Sequence, residues 1–492
     1  MQRRSKAGKN RNSGFSLNLM TDDEIHEIHL ATLQILNNTG VFVENEKALE
    51  IYHGAGCTVD AKTKTVKIPP FVVEDAIHTA PATFMAYGRI PESDVVLEDN
   101  RVTFTNFGEG IMFVDPETGE HRDTTKKDIE MASRLIDYLE NVETYERAMC
   151  SHDKPPEVQA IHNAEASLTN TTKHHWLGPV NGFQLEKIVD ICVAITGSRE
   201  KLRERPLLSF TTCPISPLKL TDHHCEIIMG AAKHGLGANV IGMAMSGGSG
   251  PVHLAGTIVV QNCEVLASLV LSQLSRKGAP FMYGSSTCPL DLRRATATVG
   301  SPETGMISAA VARLARYYSL PCFVAGGSGD SKVVDAQSGH EKTITGMLPA
   351  LAGANVIYGL GMLEMGITFD LAQLVIDNEI AEMIKYTING IPVNDETLAV
   401  DVITEMGIGK DYLSHETTYQ NMATQSRAEL MDRRMREDWE ADGSTDIYKR
   451  AHDKVKDILE TYEPPQLSEG VRTDIREIVT EAEKEQGVGS KS

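Results

Sequence analysis

The chain has 492 residues and a mass of 53.8 kDa, with 41% hydrophobic and 23% charged residues, enough for one large barrel-type domain with additions or for a few smaller domains. Its 47 Lys and Arg against 68 Asp and Glu leave a formal net charge of -21, which repels phosphate backbones and anionic headgroups and argues against nucleic-acid and membrane-surface roles. The longest apolar-leaning run, Leu254 to Leu274, is interrupted by Gln261, Asn262 and Glu264 and falls short of the roughly 20 apolar residues of a membrane span. The basic start Met1-Gln-Arg-Arg-Ser-Lys6 leads into Lys9, Asn10 and Arg11 instead of an apolar stretch, so it does not read as a secretory signal, and a cytoplasmic protein is expected. Eight cysteines without a C-x-x-C pair read as buried reduced thiols.

Thr21-Asp-Asp-Glu24 predicts a capped amphipathic helix through about Asn38, and Asn45 caps a second from Glu46 to about Gly54. Residues 1–90 are accordingly expected to form an N-terminal helical extension. From about residue 103 to 380, short β-rich runs alternate with helix-period runs, the pattern of βα units around a parallel sheet. The expected strands are Val102 to Phe107, Glu143 to Met149, His175 to Val180, Leu207 to Cys213, Asn239 to Met245, Phe281 to Ser286, Cys322 to Ala325 and Asn355 to Leu360. The later ones end in small or polar residues: Pro214-Ile-Ser216, Ser246-Gly-Gly-Ser249, Ser285-Ser-Thr287, Gly326-Gly-Ser328 and Gly361. Such strand ends suit the mouth of a barrel, where backbone approaches a ligand closely. The fold class expected is α/β, a (β/α)8 TIM barrel over residues 91–385 with additional N-terminal and C-terminal helices. Residues 386–492 are expected to be charged helices packed on the barrel, through Met422 to Trp439, Asp446 to Tyr462 and Val471 to Glu485, forming a solvated outer layer or, alternatively, docking a partner.

Seven stretches resemble the trimethylamine methyltransferase superfamily: Cys213-Pro-Ile-Ser-Pro-Leu218, Met243-Ala-Met-Ser-Gly-Gly248, Tyr283-Gly-Ser-Ser286, Val299-Gly-Ser-Pro-Glu303, Gly339-His-Glu-Lys342, Leu348-Pro-Ala-Leu-Ala-Gly-Ala-Asn355 and Leu374-Val-Ile-Asp-Asn378. The likeness runs from about Gly14 to the C-terminal helices. It implies a (β/α)8 barrel that passes a methyl group to the corrinoid of a separate small corrinoid protein, with no metal bound by this chain. One departure stands out. The founding enzymes of that superfamily carry pyrrolysine in the loop after the strand that here reads Phe323-Val-Ala-Gly326, and this chain continues Gly327-Ser-Gly-Asp330. In the proposed family chemistry that residue captures a neutral amine as an ammonium adduct. Without it, the substrate nitrogen must arrive already cationic, which points to a quaternary amine.

Displacing a neutral tertiary amine from such a substrate requires a strong nucleophile but no general acid, so the chain's work is orientation and desolvation, and no catalytic side chain is assigned. Glycine betaine, giving dimethylglycine, heads the candidates, with proline betaine, carnitine and γ-butyrobetaine left open. A trimethylammonium is held by aromatic faces, each worth about 0.5–2 kcal/mol. Phe84 and Tyr87 are the first candidates and Phe107 the next, with ordinary core burial as the competing reading. His340 is the candidate for the carboxylate, or else a structural cap. Gly247, Gly248, Ser286, Glu303, Ser328 and Asp330 are expected to contact the corrinoid or to order the site. His223-His224-Cys225 and His174-His175 are the dense ligand-type clusters, but adjacent helical residues point about 100° apart and rarely share an ion, so no metal site is expected. The Ser246-Gly-Gly-Ser-Gly250 loop lacks the lysine of a phosphate-binding loop. A homo-oligomer is expected. The rival classes are a betaine-binding protein without catalysis and a metal-dependent barrel hydrolase.

Overall fold

The computed structural model describes residues 17–488, so the basic N-terminal stretch lies outside the described residues. Eight parallel strands follow one another around a barrel: Thr103–Asn106 (β1), Tyr145–Glu146 (β2), His175–Leu177 (β3), Leu208–Thr212 (β4), Gly237–Gly242 (β5), Phe281–Ser285 (β6), Cys322–Ala325 (β7) and Val356–Leu360 (β8). Every neighbouring pair from β2 to β8 is parallel, β8 pairs with β1, and a parallel bridge between Thr105 and Thr144 completes the ring. All eight strands stand where the sequence places them, and the expected (β/α)8 class holds. The fifth begins and ends earlier than expected, because Met245–Ser246 leaves the barrel to pair with Cys288 and Pro289 in a small sheet on the rim.

Alternation along the strands sends one set of side chains inward. Trp176, Ile241, Met282, Phe323, Val356 and Tyr358 fill the barrel interior and form one apolar cluster with the hairpin Phe84–Ala86/Val95–Leu97. That hairpin seals the end of the barrel where the strands begin. The Phe84 ring lies so close over Gly237, the first residue of β5, that a Cβ there would come within 2.5 Å of it. Above Phe84 the aromatic centroids step upward: Trp176 at 5.6 Å, then Phe323 at 5.3 Å from Trp176, then Tyr358 at 5.0 Å from Phe323.

The N-terminal extension is not purely helical, as the sequence suggested. Helices Asp22–Asn38, Glu46–Gly54 and Pro70–Thr79 are joined by a four-stranded sheet of Val41–Val43, Thr58–Asp60, Thr65–Lys67 and Lys219–Leu220. Strands of two or three residues carry too little period-2 signal to be read in advance, and Val41–Val43 is fixed by pairing with the distant Lys219–Leu220. The helix Leu254–Ser275, 22 residues long, is apolar enough by composition to cross a membrane, yet it packs against the N-terminal helices and β5. Its polar interruptions are core bonds: Asn262 donates to Thr32 and Tyr318, and Glu264 accepts from Ser216 and the Leu218 amide.

On the C-terminal side, Ile447–Thr461 packs on Leu371–Ile388, and Glu469–Glu485 packs on Gly182–Thr196. The expected helix from Met422 to Trp439 is broken into Met422–Thr424 and Arg436–Ala441. Between them the Glu379 carboxylate accepts the amides of Glu429, Leu430 and Met431, which holds that stretch out of helix. Because Phe84 closes the barrel floor, Phe84→Ala is expected to cost about 3–5 kcal/mol in chemical denaturation while leaving ligand affinity of the folded protein unchanged.

Candidate site at the barrel mouth

The opposite end, where the strands finish, is built from polar groups. Glu146 ends β2; its neighbour Tyr145 points outward against His175, so the period of two turns Glu146 into the barrel. Both of its backbone groups are taken by one side chain, the Asn106 amide, which donates to Glu146 O at 2.8 Å and accepts from Glu146 N at 3.0 Å. The residue is 4% exposed, and its buried Oε2 has no hydrogen-bond partner among the described residues. Burial, with the nearby Glu109 adding to it, raises its pKa well above the ordinary carboxyl value. Gly108 makes the room: a Cβ there would come within 2.5 Å of Glu146 Cγ.

Three further side chains join Glu146 from the other even-numbered strands, the layering usual inside such barrels. Tyr358 comes from β8 and lies near Ser286, just past β6. Cys213, just past β4, opens onto the mouth, while the protein around it pushes its thiol up to about 12, chiefly through burial. Glu109 sits on a left-handed backbone at φ 69°, an uncommon geometry for a side-chain-bearing residue. It pairs with Arg147, whose guanidinium also donates to Gly178 O at 2.7 Å. The mouth therefore holds two carboxyls, one guanidinium, a thiol and an aromatic ring.

Beneath the loops after β7 and β8 lies a second polar unit. Lys342 is fully buried and donates to Gly327 O at 2.9 Å, Gly359 O at 3.2 Å and Asp377 Oδ2 at 2.6 Å. Asp377 also accepts from the Gly361 amide and from Gln373. With every acceptor and donor matched, this ion pair ties two strand-end loops to two helices.

The residues proposed from sequence scatter across this frame. Phe107 and Ser286 lie at the mouth, Phe107 with its ring against Gly366. Phe84 and Tyr87 do not: Phe84 is the floor plug, and Tyr87 stacks on Arg205, 4.7 Å away and ahead of β4, so both are at the sealed end. The strand-end reading failed there because Phe84–Ala86 belongs to a hairpin that precedes the barrel. His340 is exposed on the helix Ala336–Leu351, about 200° around from the buried Lys342, and faces away from the barrel. Ser328 is buried with its Oγ turned toward Gly359, and Asp330 is spent on the Val299 and Gly300 amides at 2.9 and 3.0 Å. Glu303 is exposed on the first turn of Pro302–Tyr317, and Gly247 and Gly248 form the tip of a rim turn. Asp222, His223 and Glu226 bring ligand-type atoms within 4.8 Å of one another, but Asp222 accepts from Asn45 and Glu226 from the Gly182 amide. His224 points away, into bonds with Thr212 and Ser268. Glu109, Glu146, Arg147, Cys213 and Tyr358 were missed as a group. The available signal was the charged triplet Tyr145-Glu-Arg147 closing an otherwise buried strand.

A sealed floor and a charged, open mouth define a barrel enzyme that works at the C-terminal ends of its strands. The trimethylamine methyltransferase family model matches residues 2–487, and the chain belongs to that family. Its curated relatives include a trimethylamine methyltransferase MttB of Desulfitobacterium hafniense, 49% identical over 483 residues and covering 98% of this chain and 97% of that one. The MttB of Methanosarcina barkeri is 44% identical over 484 residues, covering 97% and 98%. A glycine betaine methyltransferase of Desulfitobacterium hafniense Y51 is 31% identical over 473 residues, covering 96% and 98%. Among solved structures, the monomethylamine methyltransferase MtmB of Methanosarcina barkeri aligns with 91% of this chain and 95% of its own at a TM-score of 0.49 and 14% identity. By its family the protein is a methyltransferase.

Glu146 also makes stability depend on pH. Its folded pKa is raised, so its contribution is fully present below the ordinary carboxyl range and is lost as pH climbs through the elevated value. Denaturation across a pH series should show the wild type losing stability relative to Glu146→Gln as pH rises.

Proposed function

We propose that this protein moves a methyl group from a quaternary amine, with glycine betaine as the leading substrate, to the cobalt of a corrinoid carried by a partner protein. The observation that carries this reading is the buried Glu146 carboxyl with its free oxygen, set in one layer with the Tyr358 ring. A permanent cation that cannot donate hydrogen bonds is stabilised by an ionised carboxylate nearby and by an aromatic face, and both stand at the mouth. The several relatives named for trimethylamine act on an amine that is uncharged as the free base. In this chain the loop after β7 spends Asp330 on backbone amides and turns Ser328 toward β8, which leaves no side chain there to capture such an amine.

The corrinoid partner, when bound, supplies the nucleophile; the donor's nitrogen leaves as a neutral tertiary amine, so no proton is needed from this chain. Glu146 and Tyr358 hold the ammonium, Phe107 and the loops around Gly366 exclude water, and the methyl group faces outward. The rim suits a partner that brings its cofactor with it. Ile111, Val180, Ile215, Met243, Leu292 and Val333, on the loops after β1, β3, β4, β5, β6 and β7, are between 44% and 64% exposed, an apolar ring around a polar centre. Arg147 is the cation available to a betaine carboxylate, which would take the place of Glu109 on the guanidinium; the strained backbone of Glu109 and its 55% exposed side chain make that exchange accessible.

Incubation with reduced cobalamin and each of glycine betaine, proline betaine, carnitine and γ-butyrobetaine, following cobalt methylation by absorbance, tests the reaction. No methylation with any of them overturns it, and calorimetric binding without transfer would favour a betaine-binding protein instead. Glu146→Gln should weaken every quaternary ammonium by roughly 10–100-fold, the size of a charge-assisted contact. Wild-type affinity should rise with pH, since Glu146 must lose its proton to receive the cation. Arg147→Gln should impair carboxylated betaines and spare tetramethylammonium.

A further inference from the structure

The helix Leu371–Ile388 runs from the mouth to the sealed end of the barrel. Lys385, one turn before its end, pairs with Glu143 just ahead of β2, which fixes Ile388 at the sealed end. The chain then departs, and from residue 389 to 429 no residue is buried. It rejoins the body at Leu430, 4% exposed, where Glu379 and Arg450 clamp the backbone. This excursion is not the polar linker that such exposure would suit. Ile391, Val393, Ile408, Leu413, Tyr419 and Met422 are each 66% exposed or more, and Ile408 is fully so. At roughly 200 Å² for a fully exposed large side chain, they present on the order of 1,000 Å². Six such side chains on one segment depart from the singly scattered apolar residues that are ordinary on a protein surface.

We infer that residues 389–429 form an arm covered by a second copy of this chain, the arms of two copies lying against each other about a two-fold axis. The area is sufficient: a standard protein–protein interface takes about 800 Å² from each partner. A two-fold contact is self-complementary, so one apolar segment supplies both sides and the edge of neither is left open. The corrinoid partner is a poor occupant, because it must meet the substrate at the mouth, and the arm springs from the other end. A membrane is a poor one too: Asp395, Glu396, Asp401, Glu405, Asp411 and Glu416 are interleaved with the apolar residues and repel anionic headgroups. Met383 and Tyr386, 40% and 50% exposed on the last turns of Leu371–Ile388, extend the same surface to the arm's root, where Tyr386 Oη donates to Thr424 O at 3.2 Å. The exclusion of the corrinoid protein rests on the proposed function; the exposed apolar arm itself does not.

The test is the absolute mass of the full-length protein by size-exclusion light scattering at micromolar concentration, beside the variant carrying Ile408→Asp, Leu413→Asp and Tyr419→Asp. The wild type is expected at an even multiple of the 53.8 kDa chain mass, and the variant at half that mass or less with unchanged circular dichroism. The altered side chains are each 75% exposed or more, so the fold is expected to survive. Hydrogen exchange supplies the second reading: arm amides protected in the wild type should exchange at unprotected rates in the variant. A monomeric wild type, a variant that keeps the wild-type mass, or arm protection that arises only when a corrinoid protein is added would each overturn the inference.

Discussion

Between β1 and β2 the backbone ladder is reduced to bridges, Thr105 with Thr144 and Gly110 with Met149, and side chains supplement the backbone bonds that close the barrel. Thr105 Oγ1 donates to Thr144 O, Asn106 satisfies both backbone groups of Glu146, and the seam continues as the Glu109 amide donates to Arg147 O. Each such bond is worth about 0.5–1.5 kcal/mol net, but the cost of losing one is larger, because the orphaned groups are buried. The same stitches bring the acidic residues of two strand ends side by side. Closure of the barrel and assembly of the site are therefore one event.

The molecule accepts two local penalties at that seam. A carboxyl is buried with an oxygen unsatisfied, and a glutamate is held at positive φ, a backbone cost of about 1–3 kcal/mol. Both lie at the open end, brought near each other by the pairing of Glu109 with Arg147. Below the mouth an aromatic column runs from Phe84 to Tyr358, flanked by buried polar contacts between His174 and Ser209 and between Asn239 and Thr211. With the floor sealed, Glu146 is approached from the mouth, where Tyr358 stands near it.

Loop order at the mouth is secured from behind. Lys342 and Asp377 join the loops after β7 and β8, Asp330 joins the loop after β7 to Val299 and Gly300 ahead of the helix Pro302–Tyr317, and Glu341 on the helix Ala336–Leu351 accepts the Asp330 and Ser331 amides. These groups are conspicuous in the sequence as charges near strand ends, yet they face other loops and not the mouth. They preorganise the site without touching a ligand.

The order of eight strands, the helices between them and the family were all legible in the chain, because buried parallel strands and capped helices write long, regular patterns and the strand-end motifs keep their spacing. The position of Phe107 and Ser286 at the mouth was legible for the same reason, each standing directly after a strand. Phe84, Tyr87 and His340 were misplaced: nothing local distinguishes a strand of the barrel from a hairpin that plugs it, or the inner face of a helix from its outer face when both begin at the mouth. The two- and three-residue strands of the N-terminal region are specified by partners far along the chain. Glu146, Tyr358 and Arg147 became a site only when eight strands closed into a ring, since their convergence comes from shared height in the barrel. Sequence determines which residues point inward, by a period of two; which inward residues meet is decided by strand register, a property of the closed sheet.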